Sequence, residues 1–331
     1  MKILYDGIIS NLQAYGGVTV YFKEIISRVA SEEYSIVEYT SERTLSAGSK
    51  KRTPRFLERY RDFQWKNDSA DIFHSTYYRI PDKHSLPIVT TVHDFTYELY
   101  MSGPQRWVHS WQKNKAIKAS DLIICVSQNT ANDLVRFCDV DETKIQVIHN
   151  GVSDSYRPLD LPTDNMVLFI GARGGYKNFD IAVKSIAQCK ALRLGIVGGG
   201  NLTAKEKIML DAILPNRFEH LGKITNEELN TLYNTAYCLL YPSEYEGFGI
   251  PVLESMRAGC PVIAVNRSSI PEVAGNAALL LDTITIEDIV DALNNISSCR
   301  ESLKLAGFAQ SIKFSWEQCF NETYKAYKDL I

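Results

Sequence analysis

Residues 243–264 read SEYEGFGIPVLESMRAGCPVIA. The apolar run Cys238–Tyr241 ahead of them has the length of a buried strand, and Gly247 and Gly249 mark the turn that ends it. Pro251 then fits the first position of a helix, where its missing N–H is not needed. A second strand, "PVIAV", follows at 261–265. Strand, turn, helix and strand form the repeating unit of a parallel α/β sheet. The N–H groups of such a helix start make an anion site at the carboxyl end of a strand. Glu246 lies in the turn and Glu254 about one turn inside the helix, so a carboxylate stands on either side of the anion site. Both can accept hydrogen bonds from sugar or ribose hydroxyls, and glycines at 247 and 249 let backbone amides approach the same ligand. The plainer reading is a strand-to-helix corner that happens to carry two acids.

The same alternation runs outward in both directions. Strand candidates in the first half are Lys2–Leu4, Ser35–Tyr39, Ile72–His74, Ile88–Val92, Leu122–Val126 and Ile145–Ile148. "SYRPLDLPT" at 155–163, with its two prolines, reads as a linker. The cycle then restarts with "MVLFIGA", "RLGIVGG", "FEHLG", "YCLLYPS", "PVIAV" and "AALLL". The spacing predicts two Rossmann-like, doubly wound halves of about 150 residues each, meeting near 157/158, with ligands at the carboxyl ends of the strands.

Composition narrows the function. An apolar share of 45% with 23% charged residues is globular, and a net charge of -3 argues against nucleic acid as a partner. The seven cysteines are scattered and lack any C-x-x-C pair, which reads as reduced thiols and not as disulfides or zinc ligands. No apolar run approaches the length of a bilayer span, and "MKILYDG" reads as a strand, not a leader. A soluble, cytoplasmic protein is expected.

Three further segments bear on phosphate binding. In "YGGVTVYFKEIISRVA" the apolar positions Val18, Phe22, Ile25, Ile26 and Val29 share one helical face, so a helix starts after Gly16 and Gly17. Two glycines at a helix start suit an anion, although many α/β proteins use the pair only to turn. In "FIGARGGYKNFDIAVKSIA" Arg173 and Lys177 fall in a strand-to-helix loop, where a forked and a point cation suit a diphosphate. "HLGKITNEELNTLYNTA" holds a capping box, Thr225 with Glu228, and a loop Gly222, Lys223, Ile224 on the same sheet edge, placed to flank a base. His93, followed by Asp94 in "TVHD", stands at a predicted strand end, whereas His74 and His149 read as structural.

The run Lys50–Lys66, "KKRTPRFLERYRDFQWK", carries seven basic and two acidic residues interleaved with Phe56, Tyr60, Phe63 and Trp65. One reading is a solvated helix with inward aromatics. The other is a patch that touches an anionic membrane or a lipid-linked acceptor, which would put the protein at the inner face of the membrane.

At these residues the sequence resembles the retaining glycosyltransferases of family 4, which have the GT-B fold. The matching pieces run in the family's order: "YGGVTVYFKEI", "TVHD", "ASDLIICVSQNTANDL", "VIHNGVSDSYRP", "FIGARGGYKN", "HLGKITNEELNTLYNTA", "YPSEYEGFGIPVLESMRAGCPVIAVNRSSIPEVAGNAALLLD" and "FSWEQCF". The resemblance implies two Rossmann-like domains facing across a cleft, an acceptor-binding one first and a donor-binding one second. It also implies a closing helix, about 316–331, that returns to the first. It implies that Glu246 and the backbone of Gly247, Phe248 and Gly249 hold the donor sugar, that Ile250 meets the phosphates, and that Glu254 takes the ribose. Arg173 and Lys177 would neutralise the diphosphate, aided by Gly16 and Gly17, and His93 would face the sugar. The implied reaction is retaining transfer of a hexose from a UDP- or GDP-linked sugar to a carbohydrate or lipid-linked glycan, in bacterial surface polysaccharide synthesis. The leaving phosphate would help take the acceptor proton. No cofactor or metal is implied, because no Asp-x-Asp lies at a predicted phosphate site. A non-catalytic nucleotide-sugar-binding subunit and a GT-B sugar-nucleotide epimerase are the alternatives.

Overall fold

The computed structural model describes all residues except 14–15, 40–43, 66–69 and 84. Two compact units divide the chain, Met1–Gly151 with Trp316–Ile331, and Val152–Ser315.

The first unit is built on a seven-stranded, wholly parallel sheet. Its strands are β1 (Ile3–Tyr5), β2 (Tyr34–Glu38), β3 (Lys50–Lys51), β4 (Ile72–Ser75), β5 (Ile88–Val92), β6 (Leu122–Cys125) and β7 (Ile145–Val147), in the order β3-β2-β1-β4-β5-β6-β7. Strands β1, β4, β5 and β6 are buried along their whole length, as a sheet covered on both faces requires. The helix Gly17–Ile26 packs Tyr21, Phe22, Ile25 and Ile26 inward. The closing helix Trp316–Leu330 belongs to this unit. Its Tyr327 hydroxyl meets His74 Nδ1 at 2.5 Å and the Tyr5 hydroxyl at 3.4 Å, and Tyr324 donates to Glu33.

The second unit has a six-stranded parallel sheet. It comprises β8 (Met166–Ile170), β9 (Arg193–Val197), β10 (Phe218–Gly222), β11 (Cys238–Tyr241), β12 (Val262–Val265) and β13 (Leu279–Leu281), ordered β10-β9-β8-β11-β12-β13. Its core joins β8, β9 and β11 to the helix Phe179–Gln188 and to the long helix Ile286–Ser311 through residues such as Phe169, Val183, Leu194, Leu240 and Leu293. Each fully buried aliphatic side chain of this kind contributes about 1.5–3 kcal/mol of transfer free energy.

Two expectations need correction. The second unit begins at Val152, ahead of the 157/158 boundary, because Val152 N–H donates to Phe314 O and Tyr156 packs edge-on against Tyr233. The run Lys50–Lys66 is not a helix. Lys50–Lys51 pair beside β2, where Lys51 bonds the buried Glu38. Pro54 follows within the run, and only a short 3₁₀ turn forms at Glu58–Tyr60. Phe63 is buried and Trp65 stacks on it, whereas Phe56 and Tyr60 face solvent. Lys66 lies outside the described residues.

Candidate functional site

The order of the second sheet reverses between β8 and β11, and the crevice at such a reversal is where doubly wound sheets bind ligands. Two loops meet there, 171–178 after β8 and 242–249 after β11. Asn178 ties them by donating from Nδ2 to Pro242 O at 3.0 Å, and Glu244 N–H donates to Tyr176 O at 2.9 Å. Asn178 adopts the left-handed conformation (φ 53°) ahead of the helix Phe179–Gln188, a place that asparagine tolerates better than most residues.

Lys177 and Glu246 are brought together at this junction. Lys177 Nζ forms a short ion pair with Glu246 Oε1. The ammonium lies 5.4 Å from the Tyr176 ring centre and 5.3 Å from that of Tyr241. The turn carrying Glu246 is held from behind by two serines. Glu246 N–H and Ser268 Oγ are 3.0 Å apart, and Ser269 Oγ lies 2.9 Å from the carbonyl oxygens of both Glu246 and Phe248. Phe248 is buried edge-on against Phe314. Gly249 caps the helix Ile250–Ala258 with φ 104°, and a Cβ there would lie 2.8 Å from Ile270 Cδ1. Glycine is therefore required by both backbone and space. Ile250 is the first residue of that helix, and no side chain caps its N-terminus.

Glu254 sits one turn further on, recessed beneath two tyrosines. Tyr233 OH donates to its Oε2 at 3.1 Å, and Tyr156 OH is a second partner. Burial pushes this carboxyl up to about 7, and the two hydroxyls oppose the rise.

Arg173 has a different setting from Lys177. Its Nε donates to Glu206 Oε1 at 2.8 Å, and its terminal nitrogens donate to the carbonyls of Gly198 at 3.1 Å, Gly199 at 3.2 Å, Gly200 at 3.3 Å and Asn201 at 2.9 Å. Gly198, Gly199 and Gly200 all have positive φ, 69–74°. A Cβ on Gly199 would lie 2.5 Å from the Arg173 guanidinium. The arginine thus holds a left-handed glycine turn after β9, and His220 Nε2 lies 3.1 Å from Gly200 O. The neighbouring loop is joined to it, since Gly198 N–H donates to Gly222 O. Gly222 is left-handed (φ 62°), Lys223 is exposed and Ile224 half-buried.

The other sequence candidates lie in the first unit. Gly16 caps the helix Gly17–Ile26, whose start has no side-chain cap. The residues before Gly16, Ala14 and Tyr15, lie outside the described ones. His93 follows β5 with its ring 5.2 Å edge-on from Tyr21, and its Nε2 is buried with no hydrogen-bond partner among the described residues. Burial holds its pKa down near 4, so the ring is neutral at physiological pH. Asp94 instead accepts from Thr96 N–H at 2.9 Å and starts a turn. His74 is a structural group, bonded to Thr91 and Tyr327.

Sequence reasoning missed Asn178, Glu206, Ser268, Ser269, Tyr156 and Tyr233. Asn178, Ser268 and Ser269 had a local signal, as polar residues in turns beside helix starts, and Glu206 had one as the partner of Thr203 in a capping box. The rest acquire roles from partners distant in the chain.

A family model described as Glycosyltransferase Family 4 matches residues 15–156, and one described as Glycosyl transferases group 1 matches residues 157–307. O-antigen chain mannosyltransferase B of Escherichia coli is 29% identical over 314 residues, covering 84% of this chain and 81% of its own. O-antigen chain mannosyltransferase RfbU of Salmonella typhimurium is 28% identical over 228 residues, 66% of this chain and 65% of its own. The crystal structure of Anabaena Alr3699/HepE in complex with UDP and glucose has a TM-score of 0.74 at 14% identity, with 99% of each chain covered. That last likeness is one of fold. Two parallel Rossmann-like sheets, and a match to glycosyltransferase models that continues from residue 15 to residue 307, make this chain a GT-B glycosyltransferase of family 4.

Proposed function

We propose that this glycosyltransferase is a retaining, metal-independent hexosyltransferase that moves mannose from a nucleoside diphosphate donor to a carbohydrate or lipid-linked glycan. The two mannosyltransferase relatives support the sugar and a role in bacterial surface polysaccharide synthesis. The observation that carries the reading is the Lys177–Glu246 pair beside the N-terminus of the helix Ile250–Ala258. Breaking a glycosyl phosphate bond leaves positive charge on the sugar and a diphosphate anion. Cations and amides aimed at that anion lower the barrier.

In the absence of donor Lys177 is neutralised by Glu246. A diphosphate entering the crevice exchanges with the carboxylate on Lys177, which frees Glu246 to accept hydrogen bonds from the sugar hydroxyls. The amides at Gly249 and Ile250 complete the anion site, and Glu254 accepts from the ribose. Arg173 acts on the donor through the Gly198–Asn201 turn that it holds, as a positioning residue. The electrostatic work of a metal ion falls to Lys177 and the helix start. The neutral His93 is suited to a sugar hydroxyl, and Gly16 with Gly17 to a phosphate.

The test offers the purified protein GDP-mannose and a panel of UDP-, ADP- and dTDP-sugars with candidate glycan acceptors, with and without EDTA. Release of nucleoside diphosphate from one donor class, unaffected by EDTA, with an α-linked product from an α-linked donor, is the expected result. An inverted product would remove the retaining assignment. Loss of turnover on chelation would remove metal independence.

A further inference from the structure

We propose that Tyr156 and Tyr233 are positioning residues that hold the Glu254 carboxylate for the donor's ribose, and that an asparagine ladder on the helix Asn226–Thr235 keeps Tyr156 in place. The inference rests on the reading of Glu254 as the group that takes the ribose. It makes the two phenols the determinant of preference for ribonucleotide over 2′-deoxyribonucleotide donors. No cation among the described residues pairs with Glu254; its partners are two tyrosines. Tyr233 is fully buried and donates to Glu254 Oε2 at 3.1 Å. The same hydroxyl lies 3.3 Å from Pro251 O, in the first turn of the helix that carries Glu254. Tyr156, also buried, reaches the carboxyl from the segment near the start of the second unit, with its ring edge-on to Tyr233 at 5.9 Å. Glu254 itself is only half-buried, so a ligand can still reach it.

The segment 156–159 is neither strand nor helix, so its backbone polar groups need partners from elsewhere. Asn226, Asn230 and Asn234 supply them. They stand four residues apart and so share one side of their helix. Arg157 N–H donates to Asn230 Oδ1 at 3.0 Å and Leu159 N–H to Asn234 Oδ1 at 2.6 Å, while Asn234 Nδ2 donates to Arg157 O at 2.9 Å. Pro158, between them, has no N–H to satisfy. The Tyr156 hydroxyl lies 3.4 Å from Asn226 Oδ1. Asparagine is a poor helix former, so three at this spacing serve the segment and not the helix. Ladder and Tyr233 belong to one helix, and both phenols are therefore fixed by a single element. An ionised carboxylate has only acceptor sites. The phenols occupy part of them, and the remainder suit the two ribose hydroxyls. A nucleotide without its 2′-hydroxyl leaves one acceptor unmatched. Phenol donation also favours the ionised form against burial, which pushes the carboxyl up to about 7. The other titratable groups nearby are Tyr241 of β11 and, beside Tyr156, Glu227.

Dissociation constants of GDP, UDP and their 2′-deoxy counterparts are measured by calorimetry for the full chain and its variants. The ratio of deoxy to ribo constants is the readout, because titration of the diphosphate cancels in it. At pH 8 the native chain should bind a ribonucleotide about tenfold or more tightly than its deoxy form. That ratio should decline below about pH 7, as Glu254 takes up a proton. Tyr233→Phe and Tyr156→Phe should each reduce the ratio to about threefold or less and move the decline to higher pH. Asn230→Ala leaves both phenols present and should reduce the ratio as Tyr156→Phe does. The phenylalanine variants keep the buried ring, so they decide the matter should Asn230→Ala fold poorly. A lowered melting transition with an unchanged ratio and pH dependence would make the tyrosines merely structural and overturn the proposal. Glu254→Gln separates the two levels. If it keeps the native ratio, or if the native chain binds none of these nucleotides, the ribose reading falls and the positioning role with it. If it loses the ratio while both tyrosine variants keep it, Glu254 reads the ribose unaided and only the positioning role falls.

Discussion

Apart from the extra edge strand β7 of the first, the two sheets have the same strand order and each has a crevice at its reversal, yet the two crevices are filled differently. In the first unit the crevice between β1 and β4 is closed by the protein's own side chains. Asp6 accepts from Thr76 N–H at 2.8 Å and from Thr76 Oγ1 at 3.2 Å, and Arg79 lies 3.6 Å away. Arg79 is itself buried and bonds Glu58, Tyr39 OH and Arg61 O. In the second unit backbone and amide bonds join the loops, and the charged side chains Lys177 and Glu246 are left facing each other, partly accessible. Equivalent topology offers a ligand position twice. Whether the position receives a ligand depends on which side chains occupy it.

The comparison breaks most sharply at Arg79. Arg79→Ala strands the buried carboxylates of Asp6 and Glu58 and should cost about 3–5 kcal/mol of stability. Urea denaturation is the measurement, and a loss within error of zero would mean that the first crevice is not structurally closed. Glu58 adds a pH signature. Burial alone would raise its pKa, but the Arg55 hydrogen bonds and the Arg79 charge outweigh it and hold it near 2. Its contribution is therefore present above pH 4.5 and fades as pH falls toward 2.

Lys177→Ala and Glu246→Ala should do the opposite, leaving the melting transition nearly in place while kcat/KM falls by about 10²–10³, roughly 3–4 kcal/mol of transition-state stabilisation. Unchanged turnover in either variant would detach that residue from the chemistry.

Gly249→Ala sharpens the account of the helix start. With φ 104° and Ile270 Cδ1 2.8 Å from the new methyl, it should cost about 1–3 kcal/mol and also raise KM for the donor. A variant with wild-type stability would show that the turn relaxes without penalty.

The smallest effect belongs to Glu254→Gln. Because its folded pKa, about 7, exceeds the unfolded value of 4.5, the ionised carboxylate destabilises the native state. That cost grows as pH rises from 4.5 to 7. The glutamine variant should gain about 1–2 kcal/mol over wild type at pH 8, and little at pH 5, while binding donor more weakly. Parallel stability–pH curves for the two proteins would refute the buried-acid description.

Every strand except β3 was legible in the sequence, because buried parallel strands are short apolar runs between glycine, proline and polar turns. β3 was not, since two lysines become a strand only by pairing with β2 and bonding Glu38. The aromatic spacing of 50–66 imitated a helix. The segment instead follows the buried Glu58–Arg79 pair, whose members are far apart in the chain. Arg173 and Lys177 looked alike as loop cations, and only the fold distinguishes them.

The sequence by itself determined the α/β class, the two units, the turn at Glu246–Gly249 and its two acids, because periodicity, glycine and helix-start chemistry are local properties. Tertiary structure decided which groups face one another. Lys177 meets Glu246, Arg173 is spent on a glycine turn, and Glu254 lies under two tyrosines. Those pairings follow from strand order and loop packing, which bring together residues that no local pattern links.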